Sequence, residues 1–153
     1  MSLKEYVRKR NFSKTKEPAP KKPEKNISKK KLKYAIQKHH ASHLHWDLRL
    51  EMNGVLKSWA IPKEPPKVKG IKRLAVQTED HPMGYETFHG SIPKGEYGGG
   101  KVEIWDSGFY QLKNKDSKKT EIIIHGKKLN GHYVLIKTHY GAKPEKSWLF
   151  FKI

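Results

Sequence analysis

The nine residues Leu44–Met52, LHWDLRLEM, alternate without a break. Leu44, Trp46, Leu48 and Leu50 fall on one face of an extended chain, and His45, Asp47, Arg49 and Glu51 fall on the other. A helix would scatter both sets around its circumference, so this segment is a strand with one apolar and one ionisable face. Asn53-Gly54 follows, and then VLKSWAI, a second short apolar run. An Asn-Gly pair between two such runs specifies a tight hairpin. LKYAIQ, RLAVQT, KVEIWDSG, TEIIIHG, HYVLIKT and SWLFFKI read as further strands, with Asn130-Gly131 expected to turn the chain into HYVLIKT. No segment carries an apolar helical stripe over 11 or more residues. The expected fold is all-β, an antiparallel sheet closed into a small barrel or sandwich, because closure removes the edges of these apolar strands.

Two stretches resist assignment as strands. EDHPMGYETFHG (79–90) and SIPKGEYGGG (91–100) form a long, glycine- and proline-containing connection, and such connections are disproportionately functional. The N-terminal segment is different in kind. Residues 1–38 hold 14 Lys or Arg against three Glu, and 11–31 carry Pro18, Pro20 and Pro23 with few apolar anchors. Residues 1–31 are therefore expected to be a basic, largely flexible tail, and 32–153 the folded domain. SLKEYVRKR within the tail suits a short helix with Leu3, Tyr6 and Val7 toward a partner. Its two readings, a clamp on a nucleic-acid backbone and a solubilising tail, stay open.

The formal net charge of +18 over 153 residues points to a polyanionic partner, nucleic acid first. No apolar run is long enough to cross a membrane, and no apolar stretch follows the basic N-terminus as in a secretory signal. Cysteine is absent, which removes disulfides, zinc-thiolate sites and thiol nucleophiles and suits a reducing, cytoplasmic location.

The histidines narrow the chemistry. Four of nine lie in KHHASHLHWDLR. His45, Asp47 and Arg49 share a strand face, and a turn through Ala41 and Ser42 would bring His39 back against it. Two imidazoles and a carboxylate so gathered make a site for a divalent transition metal with open coordination positions. Arg49, one step further along that face, offers bidentate donation to an oxyanion, and a salt bridge to Asp47 or Glu51 is its structural alternative. His81 and Tyr85, in DHPMGY, could each donate to a phosphoryl oxygen, and His81 could also protonate a leaving group or bind a second metal. His40, His43, His89, His125, His132 and His139 read as surface or packing residues. The tryptophans at 46, 59, 105 and 148 suit core packing better than base stacking. Lys57, Lys63, Lys67, Lys69, Lys72 and Arg73 are candidate backbone contacts. Gly98–Gly100 lacks the GxxxxGK[ST] pattern of a P-loop, which leaves a flexible rim or a close backbone approach.

On QKHHASHLHWDLRLEMNGVLKSWAIPKEPP, KRLAVQTEDHPMGYETFHGSIPKGEYGGGKVEIWDSG, GKKLNGHYVLIKT and WLFFKI, the chain resembles the 3'-phosphoesterase domain family of bacterial DNA ligase D and its stand-alone archaeal and bacterial relatives. The resemblance implies a small closed antiparallel β-barrel with a crescent-shaped active-site groove. It implies a manganese-dependent hydrolase that removes a 3'-terminal ribonucleoside from a primer-template to leave a 3'-phosphate, then hydrolyses that phosphate to a 3'-hydroxyl. Carried over by position, His39, His45 and Asp47 are metal ligands for Mn2+, with Zn2+ or Co2+ as substitutes, and Arg49, His81 and Tyr85 are catalytic contacts to phosphate. The implied partners are duplex DNA with a 3' primer terminus and a separately encoded DNA ligase, since no KxDG ligase motif is present. A monomer and a stand-alone form are expected. The competing reading is a non-catalytic nucleic-acid-binding barrel with a structural metal site.

Overall fold

A computed structural model describes residues 3–20, 31–139, 141 and 143–153. Nine strands follow one short helix: α1 (Leu3–Arg8), β1 (Leu32–His40), β2 (Leu44–Met52), β3 (Val55–Ile61), β4 (Lys72–Pro82), β5 (Gly90–Ile92), β6 (Gly100–Lys115), β7 (Lys119–Gly126), β8 (Asn130–Lys137) and β9 (Ser147–Lys152). They run in the order β1-β2-β3-β4-β9-β8-β7-β6, and β6 pairs back onto β1 to close an eight-stranded antiparallel barrel. β5 lies outside that ring and extends the sheet from the start of β6.

Alternation decides what fills the barrel. Ile36, Trp46, Leu48, Leu50, Trp59, Ile61, Ala75, Tyr110, Ile122, Ile124, Leu135 and Phe150 point inward from all eight strands. Three of the four tryptophans belong to this core, and Trp105 packs against its edge. The polar residues of β1 to β4 therefore face the outer wall. They are nevertheless buried: Gln37 is fully enclosed, and Asp47, Arg49, Glu51, Ser58 and His81 are nearly so. A second layer covers them, made of residues 3–20 and the connection after β4. Its own small core is Tyr6, Leu56 and Tyr85, with Leu3, Phe12, Met83 and Phe88 packed around it.

That layer departs from the sequence expectation. Residues 3–20 are not a free tail: α1 packs on β4, Tyr6 is fully buried, and the Tyr6 hydroxyl donates to Pro18 O. Arg10 joins Glu17 at 2.9 Å and Glu79 at 3.2 Å with all three side chains almost entirely enclosed. Apolar anchors are few here, and buried ion pairs with the barrel wall take their place. Val7 stays exposed. Residues 21–30, the remainder of the expected mobile stretch, lie outside the described residues.

Two turns also differ. β4 continues through Pro82, so 79–82 are strand, not loop. Asn130-Gly131 is not the β7–β8 turn: Asn130 pairs with His125 and Gly131 with Ile124, and the turn falls at 127–129. The cause is Asp106, a buried carboxylate on β6. It accepts from the backbone N–H groups of Lys127, Lys128 and Leu129 at 2.8, 3.0 and 2.9 Å and from the Tyr34 hydroxyl at 2.8 Å. Removing that acceptor strands several enclosed donors, each costing about 1–3 kcal/mol when unsatisfied. Asp106→Ala is expected to destabilise the domain by at least ~3 kcal/mol, read as a lowered urea midpoint with little change in slope. An unchanged midpoint would show that the turn holds without it.

Candidate metal and phosphate site

The hairpin β1–β2 pairs His39 with His45 and Gln37 with Asp47, so all four stand side by side on the outer wall. The His39 and His45 rings are 4.8 Å apart, and Asp47 Oδ2 lies 3.5 Å from His39 Nδ1 and 3.3 Å from His45 Nε2. One donor atom from each of the three lies within 4.8 Å of the others, the spacing of a group that can hold a metal ion.

Carbonyl oxygens fix which nitrogens face inward, because a carbonyl can only accept. His39 Nε2–H donates to Gly98 O at 2.6 Å, leaving Nδ1 with its lone pair toward Asp47. His45 Nδ1–H donates to His43 O at 3.0 Å, leaving Nε2 toward Asp47. Each imidazole is thus held by an outer partner in the tautomer that presents a ligand nitrogen, the usual arrangement around protein-bound metals. Two imidazoles and a carboxylate on one side leave further positions open and suit a divalent transition metal by donor chemistry. The Asp47 carboxyl is kept ionised. Burial alone would raise its pKa, but the Arg49 guanidinium beside it, with hydrogen bonds from the imidazoles when their inner nitrogens carry a proton, holds it well below the usual carboxylate range.

Arg49 adjoins this trio. Its Nε donates to Gln37 Oε1 at 2.9 Å, one terminal nitrogen lies 3.5 Å from Asp47 Oδ2, and the guanidinium stands over the Tyr85 ring. Gln37 Nε2 in turn donates to Tyr85 O and Phe88 O, tying the covering loop to the wall. His81 reaches the same face because β4 carries an irregularity opposite Lys57: Thr78 pairs with Ser58 and His81 with Leu56, three positions apart yet on one side. Its Nδ1–H donates to Glu79 O at 3.0 Å, and its Nε2 accepts from Arg10 at 3.3 Å. Burial, with Arg49 and Arg10 on either side, holds the His81 pKa well below its ordinary value. The neutral ring is therefore the resting form, which disfavours the expected role as a proton donor to a leaving group.

All six residues singled out from the sequence line one cleft of about 280 Å³. Tyr85 differs from expectation in one respect. Its hydroxyl donates to Glu17 at 2.5 Å, and its ring packs edge-on against His81, so it braces its neighbours. Arg10, Glu79 and Tyr97 complete the cleft and were not singled out from the sequence, nor was Gly98 as a metal-site residue. Arg10 sat in a lysine- and arginine-rich stretch with no pattern to distinguish it. The one signal for Gly98 was the glycine run itself.

Comparison with known proteins identifies the family of the chain. The model of the DNA ligase D 3'-phosphoesterase domain matches residues 37–137. The multifunctional non-homologous end joining protein LigD of Mycolicibacterium smegmatis is 49% identical over 94% of the chain, and that of Pseudomonas aeruginosa 46% identical over 98%. The LigD protein of Mycobacterium tuberculosis is 47% identical over 90%. The chain spans 18–19% of the length of these relatives.

Gly98 offers a test of the metal site that needs no substrate. It has φ +73°, and a Cβ there would sit 3.2 Å from His39 Cε1. Gly98→Ala is expected to disturb the carbonyl that orients His39 and to weaken divalent-metal binding about 10- to 100-fold, measured by calorimetric titration of metal-stripped protein with Mn2+. Unchanged affinity would mean that the Gly98 carbonyl does not set the tautomer.

Proposed function

This chain belongs to the DNA ligase D 3'-phosphoesterase domain family, and from that premise we propose that it is a metal-dependent phosphoesterase acting on the 3' ends of duplex DNA. The observation that carries the reading is the convergence of His39 Nδ1, His45 Nε2 and Asp47 Oδ2 beside two guanidiniums in one cleft. A structural metal would need none of the neighbouring positive charge.

In this reading His39, His45 and Asp47 hold a divalent transition metal, Mn2+ with Zn2+ or Co2+ as substitutes, which would supply Lewis acidity at the phosphoryl group and an acidified water. Arg49 and Arg10 neutralise charge developing on the phosphoryl oxygens. Both are fixed beforehand, Arg49 by Gln37 and Arg10 by Glu17 and Glu79, so neither reorganises during reaction. Neutral His81 lies between them and accepts from Arg10, while the Tyr85 ring lies beneath Arg49 and the Tyr6 ring beneath Arg10. On a primer ending in one ribonucleotide, water attacks phosphorus and the bond to the terminal nucleoside's 5' oxygen breaks. The nucleoside leaves as its alcohol, with the proton drawn from water, and a 3'-phosphate stays on the primer. A second hydrolysis breaks the bond between phosphorus and the primer's 3' oxygen, releasing inorganic phosphate and a 3'-hydroxyl. That hydroxyl is what a ligase would require.

The test is a 5'-labelled primer with a terminal ribonucleotide on a longer template, incubated with metal-stripped protein with and without Mn2+. Stepwise shortening to the 3'-phosphate and then the 3'-hydroxyl, only with metal, is the expected result. Asp47→Ala should abolish both steps. Arg10→Ala and Arg49→Ala should each cost about 2–4 kcal/mol of transition-state stabilisation, roughly 30- to 1,000-fold in rate. Retained turnover in Asp47→Ala would overturn the mechanism. Retardation of the duplex without conversion of either substrate would favour the non-catalytic barrel.

A further inference from the structure

A second cavity, of about 610 Å³, adjoins the first and shares Ala41, Ile92 and Gly98 with it. Gly98, whose carbonyl accepts from His39, lines both, so the second cavity opens directly beside the metal trio. The cavity lies between the β1–β2 turn and the glycine-rich connection into β6. Gly100 explains why that connection is built of glycine: a Cβ there would lie 2.0 Å from His40 O, so only a bare backbone can pass so close to the turn.

The walls have a character unusual for this protein. The chain as a whole carries +18, yet here the charges offset one another. Of the three charged groups on the wall, Lys94 stands with Glu96, and Lys101 is paired at 2.9 Å with Glu103 just outside it. The Glu103 carboxyl, which accepts from Lys101 and His40, is pulled down to about 2 and stays ionised. A polyanionic strand gains little from such a wall. The remaining groups are the hydroxyls of Ser42 and Ser91 and the amides of a glycine run, with no aromatic ring to stack on a base. Hydroxyls, a carboxylate and backbone amides match a neutral, hydroxyl-bearing sugar, and the volume lies within the ~300–1,000 Å³ that holds a ligand of this size.

We propose that this cavity is the subsite for the terminal nucleoside that departs in the first hydrolysis, recognised through its sugar hydroxyls and indifferent to its base. The proposal rests on the phosphoesterase reading above and assigns the leaving side of the scissile phosphate to the 42–101 cleft. It follows that a 3'-phosphate, which has no terminal nucleoside, leaves the cavity unused.

The two substrates therefore separate the subsite from the rest of the site. Rates are measured on a ribonucleotide-terminated primer and on the same primer ending in 3'-phosphate, for the full chain, Ser91→Trp and the double variant Ser42→Ala/Ser91→Ala. Ser91→Trp is expected to lower the ratio of the first rate to the second at least tenfold by filling the cavity. The double alanine variant, which removes only hydroxyls from an exposed surface, should lower it three- to tenfold. A ratio unchanged within twofold in both variants, or an equal fall in both rates, would overturn the subsite, the latter placing the primer strand there instead. Wild-type protein inert on both substrates with metal would overturn the phosphoesterase reading itself, an outcome visible before any variant is compared.

Discussion

The Asp47 carboxylate is buried on the outer wall of the barrel, and the surrounding construction follows from keeping it charged there. A carboxylate out of water is costly unless paired and hydrogen-bonded. Asp47 is met by two imidazoles and a guanidinium, and each of these is held by a further partner: Gly98 O on His39, His43 O on His45, Gln37 on Arg49. Strands with an apolar inner face and an ionic outer face can bury both only if something covers the second. Here the covering layer is the N-terminal segment and the connection following β4. The barrel supplies a rigid wall, and the cover supplies enclosure and one of the two guanidiniums.

Much of the metal trio was legible because a strand's period is two. Once Leu44–Met52 is read as a strand, His45, Asp47 and Arg49 must share a face, and the short turn 41–43 returns His39 to it. Periodicity is blind to the rest. Gly98 acts through a carbonyl that every residue possesses, so its role leaves no mark in the side-chain pattern. Gln37 on β1 looks like any polar strand residue until the loop carbonyls it binds are in place. The β7–β8 turn was misplaced for a similar reason. A local Asn-Gly preference yielded to a buried carboxylate on another strand that captures three backbone N–H groups at 127–129. Expectations built from neighbours in sequence fail where the deciding partner is distant.

Net charge hides a division of labour. Lysines dominate the count but sit mostly on the surface, where charges further apart than roughly 8–10 Å are screened at physiological salt. Around the site the balance is different: Glu17, Asp47 and Glu79 are enclosed among Lys9, Arg10 and Arg49. These acids do not cancel the cations so much as aim them. A guanidinium with one edge committed to a carboxylate or amide keeps its remaining donors in a fixed plane, which a lysine on a flexible stem cannot do. The surface charge can gather a nucleic acid, whereas the enclosed pairs decide where a phosphoryl group would rest.

The same enclosure bears on where the functional unit begins. The family model matches from residue 37, and composition suggests a boundary near 31. A unit cut at that boundary would lose Tyr6 from beside His81 and Tyr85, strip Arg10 from His81 and Glu79, and leave the Tyr85 hydroxyl without Glu17. Tyr85 and His81 would then stand exposed on the wall, and the cleft would keep one guanidinium in place of two. The relatives align over 90–98% of the chain, so their similarity reaches into this segment as well. A stretch that composition marks as a tail is thus a wall of the site. Its sparse apolar residues and paired ions suffice because the surface awaiting them is polar.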